Sequence, residues 1–118
     1  TYTGTEFITW DRVETYSPET GQWNSLTDLP VASSGLLAAG LDNELYFFGG
    51  EDLSDFKLAD LHHAYSLETG NWMEVSQIPQ QRHGITAVTI GREIHVLGGG
   101  PMAYSGFATS THFVLTFD

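Results

Sequence analysis

The sequence predicts an all-β protein built from a repeated unit, and three observations support this prediction. The stretch YSPETGQW at residues 16–23 returns as YSLETGNW at residues 65–72, an offset of 49 residues. Short apolar runs bounded by Gly, Asn and Asp recur with the same offset, as is typical of short strands joined by tight turns. No segment of useful length has the apolar periodicity of an amphipathic helix. Because a period near 50 residues is too long for helical ankyrin or tetratricopeptide units, we expect a β repeat.

The repeat runs through most of the chain and needs no gap until residue 99. The further pairs at the same offset are Phe7 with Phe56, Asp11 with Asp60, Pro30 with Pro79, Gly35 with Gly84, Ala38 with Ala87, Glu44 with Glu93, Gly49 with Gly98 and Gly50 with Gly99. Self-similarity at a fixed period indicates tandem units that bury their apolar faces against one another. The sequence therefore predicts two tandem copies of one β unit.

Each period opens with a predicted hairpin of two short apolar strands. These strands are expected at residues 35–41 and 44–49 in the first period and at residues 84–90 and 93–98 in the second. The dipeptides between them, Asp42-Asn43 and Gly91-Arg92, can adopt positive φ, as a two-residue hairpin turn of the primed type requires. Both faces of these strands are apolar, which is typical of a strand covered on two sides.

A second hairpin follows a polar loop in each period. Its strands are expected at residues 61–67 and 71–76, with earlier copies at 13–17 and 22–27 and a later first strand at 111–117. Gly21 and Gly70 stand between paired strands, where a residue of positive φ lets the chain reverse. Four short antiparallel strands per period are the content of a propeller blade, in which the strands are arranged radially about a channel.

These residues resemble the Kelch-repeat β-propellers, and the resemblance covers nearly the whole chain. The matching residues are the glycine pairs that close the second strand (Gly49-Gly50 and Gly98-Gly99), a Tyr before a Ser-Pro or Ser-Leu turn (Tyr16 and Tyr65) and a Trp a few residues further on (Trp23 and Trp72). The family often has an Arg near the start of the inner strand, which Arg82 matches and Ser33 does not. The Tyr commonly found in the second strand is Tyr46 in one copy and His95 in the other.

The resemblance implies an all-β, Kelch-type β-propeller fragment with four-stranded antiparallel blades. Residues 1–28 would be strands c and d of a preceding blade, residues 29–77 a complete blade and residues 78–118 strands a to c of a following blade, all in one propeller domain. Kelch propellers generally close with about six or seven blades, so we expect the remaining blades of a longer chain to cover the open sides. The Tyr, Trp and glycine pairs recur once per blade, and we therefore assign them to structure.

Composition and charge narrow the classes of partner. The net charge is −11, with only four basic residues scattered along the chain, so nucleic acid and anionic membranes are disfavoured as partners. A solvated acidic surface is one interpretation of this charge, and docking of a basic partner is the other. The chain has no cysteine, which excludes disulfides and thiol catalysis within it and leaves the compartment open. The sequence contains no run of eighteen apolar residues, so it predicts no membrane-spanning helix.

Two groups of residues have metal-binding chemistry, but we predict neither metal nor cofactor. Glu51, Asp52 and Asp55 form a carboxylate cluster of the kind that can bind calcium. The stretch EDLSD lacks the EF-hand spacing and its glycine, so a polar loop is the simpler interpretation. The five histidines belong to several strands, and surface or hydrogen-bonded histidines explain them better than a metal site does.

The resemblance also implies a binding face, because the d–a and b–c loops of Kelch propellers open on one side of the disc. The residues that we expect on this face are Ser33, Ser34, Asp52, Asp55, Arg82, His83, Tyr104 and Phe107. Arg82 could hold a carboxylate of a ligand, or it could brace the blades through backbone carbonyls. His83 could exchange protons near neutral pH. The loop at residues 101–110 is longer than its counterpart, and its exposed aromatic residues suit partner binding.

Three functions remain open. We expect a module that binds a protein partner or a small polar ligand through the d–a and b–c loop face. The alternative is part of a carbohydrate-active Kelch enzyme, resembling the oxidase or sugar-mutarotase branches, whose catalytic residues lie mostly outside this chain. A mainly structural propeller is the third. The sequence has no nucleophile elbow, phosphate loop or zinc signature, and we predict no catalytic residue within it.

Overall fold

The structure is a computed structural model that describes residues 2–4, 6–104 and 106–117. These residues contain thirteen strands, and none of the described residues is in a helix. The strands are β1 (Tyr2–Thr3), β2 (Glu6–Phe7), β3 (Glu14–Ser17), β4 (Gln22–Ser25), β5 (Leu37–Leu41), β6 (Glu44–Phe48), β7 (Glu51–Asp52), β8 (Lys57–Leu58), β9 (His62–Ser66), β10 (Trp72–Glu74), β11 (Thr86–Ile90), β12 (Glu93–Leu97) and β13 (His112–Thr116). The predicted all-β class is confirmed.

A four-stranded antiparallel sheet occupies the middle of the chain, in the order β5-β6-β9-β10. Each strand pairs with the next long strand in the sequence, and the short hairpin β7–β8 is inserted between β6 and β9. The four long strands coincide with those expected from the sequence, although each is shorter by one to three residues. The small β7–β8 hairpin was not predicted, because two-residue strands leave no detectable periodicity.

A three-stranded antiparallel sheet, β11-β12-β13, follows and repeats the first part of this arrangement. The hairpins β1–β2 and β3–β4 stand before it as separate two-stranded sheets. In β3–β4, Tyr16 and Trp23 lie directly opposite each other. The expected copies of the second hairpin are therefore present.

The turns of the first hairpins explain why these segments reverse where they do. Leu41 pairs with Glu44, and Ile90 pairs with Glu93, so each turn has two residues. The first turn residue has positive φ in both copies, 55° at Asp42 and 59° at Gly91. A positive φ at this position matches the right-handed twist of the flanking strands, which confirms the predicted turns.

The four-stranded sheet is covered on both faces by apolar side chains. Phe48 and Ala64 belong to a buried cluster that also holds Ile94 and Val96 of the next sheet. Phe47 and Tyr65 point to the other face, as neighbouring strand residues do, and join a cluster with Leu29. The predicted cover on two sides is thus confirmed for this sheet.

The three-stranded sheet differs from that prediction on one face. Ile94 and Val96 are fully buried, whereas Val88, Ile90, Leu97 and Val114 are 40–58% exposed. The expectation of cover on both sides is therefore wrong for the outer face of this sheet in this chain. The physical reason is that the apolar cluster described above packs only against the side that faces the four-stranded sheet.

The two repeats contact each other through equivalent positions. The Gly84 N–H donates to the Gly35 carbonyl over 2.8 Å, and the Thr89 hydroxyl donates to the Gly40 carbonyl over 2.8 Å. Both pairs are separated by the repeat offset of 49 residues, and they bring the equivalent strands β5 and β11 side by side. The second unit therefore contacts the first through positions that are equivalent in the repeat.

Candidate functional site

Four loops gather at one end of the sheets, and we call this surface the loop face. They are residues 30–36, 49–61, 79–85 and 98–111. Two backbone bridges hold them in pairs: Ser34 exchanges hydrogen bonds with Glu51, and His83 exchanges them with Gly100. Because β5 and β11 lie side by side, the two pairs of loops become neighbours.

Ser33 and Arg82 occupy equivalent repeat positions and make equivalent contacts. The Ser33 hydroxyl donates to the Gly49 carbonyl over 2.8 Å, and Arg82 Nη1 donates to the Gly98 carbonyl over 2.5 Å. Gly49 and Gly98 are themselves equivalent. Both side chains therefore brace the glycine pair that closes the second strand.

Arg82 is fully buried, which favours one of the two interpretations of this residue. Its Nη1 also contacts the Thr109 hydroxyl at 3.0 Å and the Thr111 carbonyl at 3.4 Å, and its guanidinium carbon lies 4.6 Å from the centre of the Phe113 ring. Burial lowers the pKa of Arg82, but an arginine side chain stays charged in a protein. These contacts support bracing by Arg82 through carbonyl groups rather than contact with a ligand.

Glu51 joins the two long loops, a role that the sequence did not predict, because it indicated Glu51 only as a member of a carboxylate cluster. Its Oε2 accepts a hydrogen bond of 2.6 Å from the Tyr104 N–H, and its Oε1 lies 3.6 Å from His83 Nδ1. The side chains of Glu51 and His83 are 15% and 13% exposed. The predicted residue His83 is therefore mostly covered, and Glu51 holds the loop that carries Tyr104.

Asp52 and Asp55 are engaged within their own loop. Asp52 Oδ1 accepts a hydrogen bond of 2.9 Å from the Ser54 N–H. Desolvation raises the pKa of Asp52, but hydrogen bonds from Ser54 and Thr9 outweigh it and lower the pKa below its ordinary value. Asp55 pairs with Lys57 at 2.6 Å. Among the residues that the structure describes, no group of three or more His, Asp or Glu side chains is placed to hold a metal ion.

Three aromatic rings meet on the loop face, and we call Phe7, Phe56 and Tyr104 the aromatic triad. Their ring centres are 5.5–6.1 Å apart, and all three pairs are edge-to-face. Phe56 and Tyr104 are 56% and 63% exposed. Both also have positive φ, 53° and 54°, which is unusual for bulky residues.

A cavity opens beside this triad. It has a volume of about 380 Å³ and is lined by Glu6, Phe7, Leu53, Ser54 and Phe56. Phe107, which the sequence placed on the same face, is 69% exposed. Of the predicted binding residues, Tyr104 and Phe107 are therefore open to solvent, whereas Ser33 and Arg82 are buried.

The residues assigned to structure behave differently in the two copies. Tyr65 is buried and Trp72 is half-buried, and the Trp72 ring packs against Phe47 and Tyr65 at 5.3 and 5.2 Å. Tyr16 and Trp23 pack on each other at 5.1 Å, yet they are 51% and 67% exposed. The reason is that β3–β4 forms a sheet of its own, without two inner strands beside it.

His63 gives an expected pH dependence of stability. Burial, and secondly the neighbouring His62, lower the pKa of His63 below its ordinary value of 6.5. His63 therefore binds a proton more tightly in the unfolded chain than in the folded one. Stability is lost as the pH falls, first through the pKa of His63 in the unfolded chain and then through its pKa in the folded chain. We expect the melting temperature to fall between about pH 7 and pH 5, and to fall less in His63→Gln. Thermal unfolding followed by circular dichroism at both pH values measures this, and equal falls in the two proteins would contradict it.

Comparison with known proteins does not assign the chain to a family. No family model matches the chain, and no curated protein matches it significantly. None of the described residues forms a helix that is long and apolar enough to cross a membrane. The Kelch resemblance therefore rests on the repeat residues and remains a prediction.

Proposed function

We propose that the chain is part of a Kelch-type β-propeller whose loop face binds a protein partner. Two features support the propeller. The sheet order β5-β6-β9-β10 follows the chain, as the strands of a blade do. In addition, equivalent residues of successive units are in contact, as at Gly35 and Gly84, which is the arrangement expected of blades around an axis.

The observation that carries the binding function is the exposure of large aromatic residues on the loop face. Phe56, Tyr104 and Phe107 are each more than half exposed, and aromatic side chains of this kind concentrate binding energy at interfaces. Glu51 fixes the loop that presents Tyr104, so part of the ordering cost of binding is already met. The carbohydrate-active alternative receives less support, because Arg82, the residue it would use, is fully buried and contacts carbonyl groups through its Nη1 atom.

Peptide selection on the immobilised chain tests this function. Peptides selected on the unchanged protein are expected to bind the double variant Tyr104→Ala, Phe107→Ala about tenfold or more weakly, the loss that follows removal of interface anchors. Leu67→Ala is the matched control, because Leu67 is 55% exposed and lies in the c–d turn, at the opposite end of the sheet. Fluorescence anisotropy measures the dissociation constants. Peptides that bind the double variant as tightly as the unchanged chain would overturn the proposal.

A further inference from the structure

The loop that carries Phe56 has an excess of negative charge. Residues 51–58, EDLSDFKL, contain three carboxylates and a single lysine. That lysine, Lys57, is already paired with Asp55 at 2.6 Å. Among the described residues that line the cavity beside the loop, Glu6 is acidic and none is Lys or Arg, so the loop face is acidic where the aromatic rings are exposed.

The cavity combines this charge with apolar walls. Phe7 and Phe56 meet edge-to-face at a centre-to-centre distance of 6.1 Å, and Leu53 completes the apolar lining. A cationic side chain with an apolar stem fits such a site, because its stem packs against the rings while its charged head approaches the carboxylate of Glu6. A volume of about 380 Å³ lies within the range of pockets that hold small groups.

We infer that this cavity receives the Lys or Arg side chain of a basic segment of a protein partner. The inference rests on the proposed binding function and specifies the chemistry of the partner. An acidic segment would be repelled by Glu6 and by the carboxylates of residues 51–58. The net charge of −11 favours the same partner over a longer range, since it attracts basic segments and accelerates their association at low salt.

The aromatic residues recur in successive loops either because they bind a partner or because they pack neighbouring loops together. The experiment must separate these two reasons. Phe7 and Phe56 are equivalent repeat positions, and Tyr104 lies in the corresponding loop of the next unit. If the rings served only to pack neighbouring loops together, removing one would lower stability without changing affinity. Stability and affinity therefore have to be measured on the same variants.

The probe is a capped, fluorescent peptide of alternating Arg and Gly, and its uncharged match has citrulline in place of Arg. We expect the Arg peptide to bind, and we expect Glu6→Gln and Phe56→Ala each to weaken binding about threefold or more. Glu19→Gln is the charge-matched control, because Glu19 is exposed in the c–d turn between β3 and β4. Fluorescence anisotropy at low and at physiological salt gives the affinities, and thermal unfolding gives the stabilities.

Each other outcome has a defined meaning. Equal weakening by Glu19→Gln and Glu6→Gln would show general attraction to an acidic surface and overturn the inference. If the citrulline peptide bound as tightly as the Arg peptide, the site would not require a cation. The basic partner would also be excluded if the Arg peptide did not bind while the selected peptides still required Tyr104. Those two results overturn the basic partner and leave the proposed function standing. Loss of stability in Phe56→Ala with unchanged affinity would assign the ring to packing, and Glu6→Gln keeps the test valid if Phe56→Ala does not fold.

Discussion

Replacing Gly50 with alanine is expected to lower the free energy of unfolding by about 3 kcal/mol or more. Gly50 has a φ of +90°, which side chains of L-residues rarely adopt. A Cβ at this position would lie 2.0 Å from the Ser33 hydroxyl oxygen and 2.8 Å from the Ser34 carbonyl oxygen. The second atom belongs to the backbone bridge with Glu51, so the clash cannot be relieved by a side-chain rotation alone.

Gly21→Ala is the matched control for this substitution. Gly21 has a similar positive φ of +69°, but nothing lies within 4 Å of the added Cβ. We expect a loss of about 1 kcal/mol from the backbone conformation alone. Urea denaturation of both variants measures the difference. Equal losses would show that the glycine pair is needed only for its conformation and not for the close approach of the preceding loop.

Replacing Arg82 with methionine is expected to lower the free energy of unfolding by about 2 kcal/mol or more. Methionine keeps much of the apolar volume of the side chain but donates no hydrogen bond. The Gly98 carbonyl and the Thr109 hydroxyl would lose a charged donor, and Phe113 would lose the cation above its ring. Hydrogen bonds to charged groups contribute more than neutral ones, which is why the loss should be large.

Ser33→Ala provides the comparison, because Ser33 makes the equivalent contact with one neutral hydrogen bond. We expect a loss of about 1 kcal/mol from this variant. Urea denaturation monitored by tryptophan fluorescence measures both. If Arg82→Met were no less stable than Ser33→Ala, the buried guanidinium would not brace the second sheet, and contact with a ligand would again be open for Arg82.

The all-β class and most of the strands and turns could be predicted from the sequence, because their signals are local or repeated. The two-residue turns at Asp42 and Gly91 and the hairpin around Gly21 follow from short-range chemistry and from the period of the repeat. The hairpin β7–β8 could not be predicted. Two-residue strands have no periodicity, and residues 51–58 resemble an ordinary polar loop.

The candidate site was less accessible to sequence reasoning. Tyr104 and Phe107 could be selected because aromatic residues in a long loop are conspicuous, but Phe7 and Phe56 were considered only as a repeat pair. Phe56 and Tyr104, which are in contact, both have positive φ. No local preference of a bulky residue indicates such a backbone conformation. A recurring aromatic residue inside an otherwise variable loop was the available signal.

The contact of Gly35 with Gly84 would determine the geometry of a longer array of such units, as in the proposed propeller. Each unit presents one side to its successor and a different side to its predecessor, so the association is head-to-tail, and arrays of this kind close only when the rotation per unit divides a full turn. A Cβ on Gly35 would lie 3.0 Å from the Gly84 nitrogen. A larger residue there would alter that rotation, and the angular error would grow with every further copy.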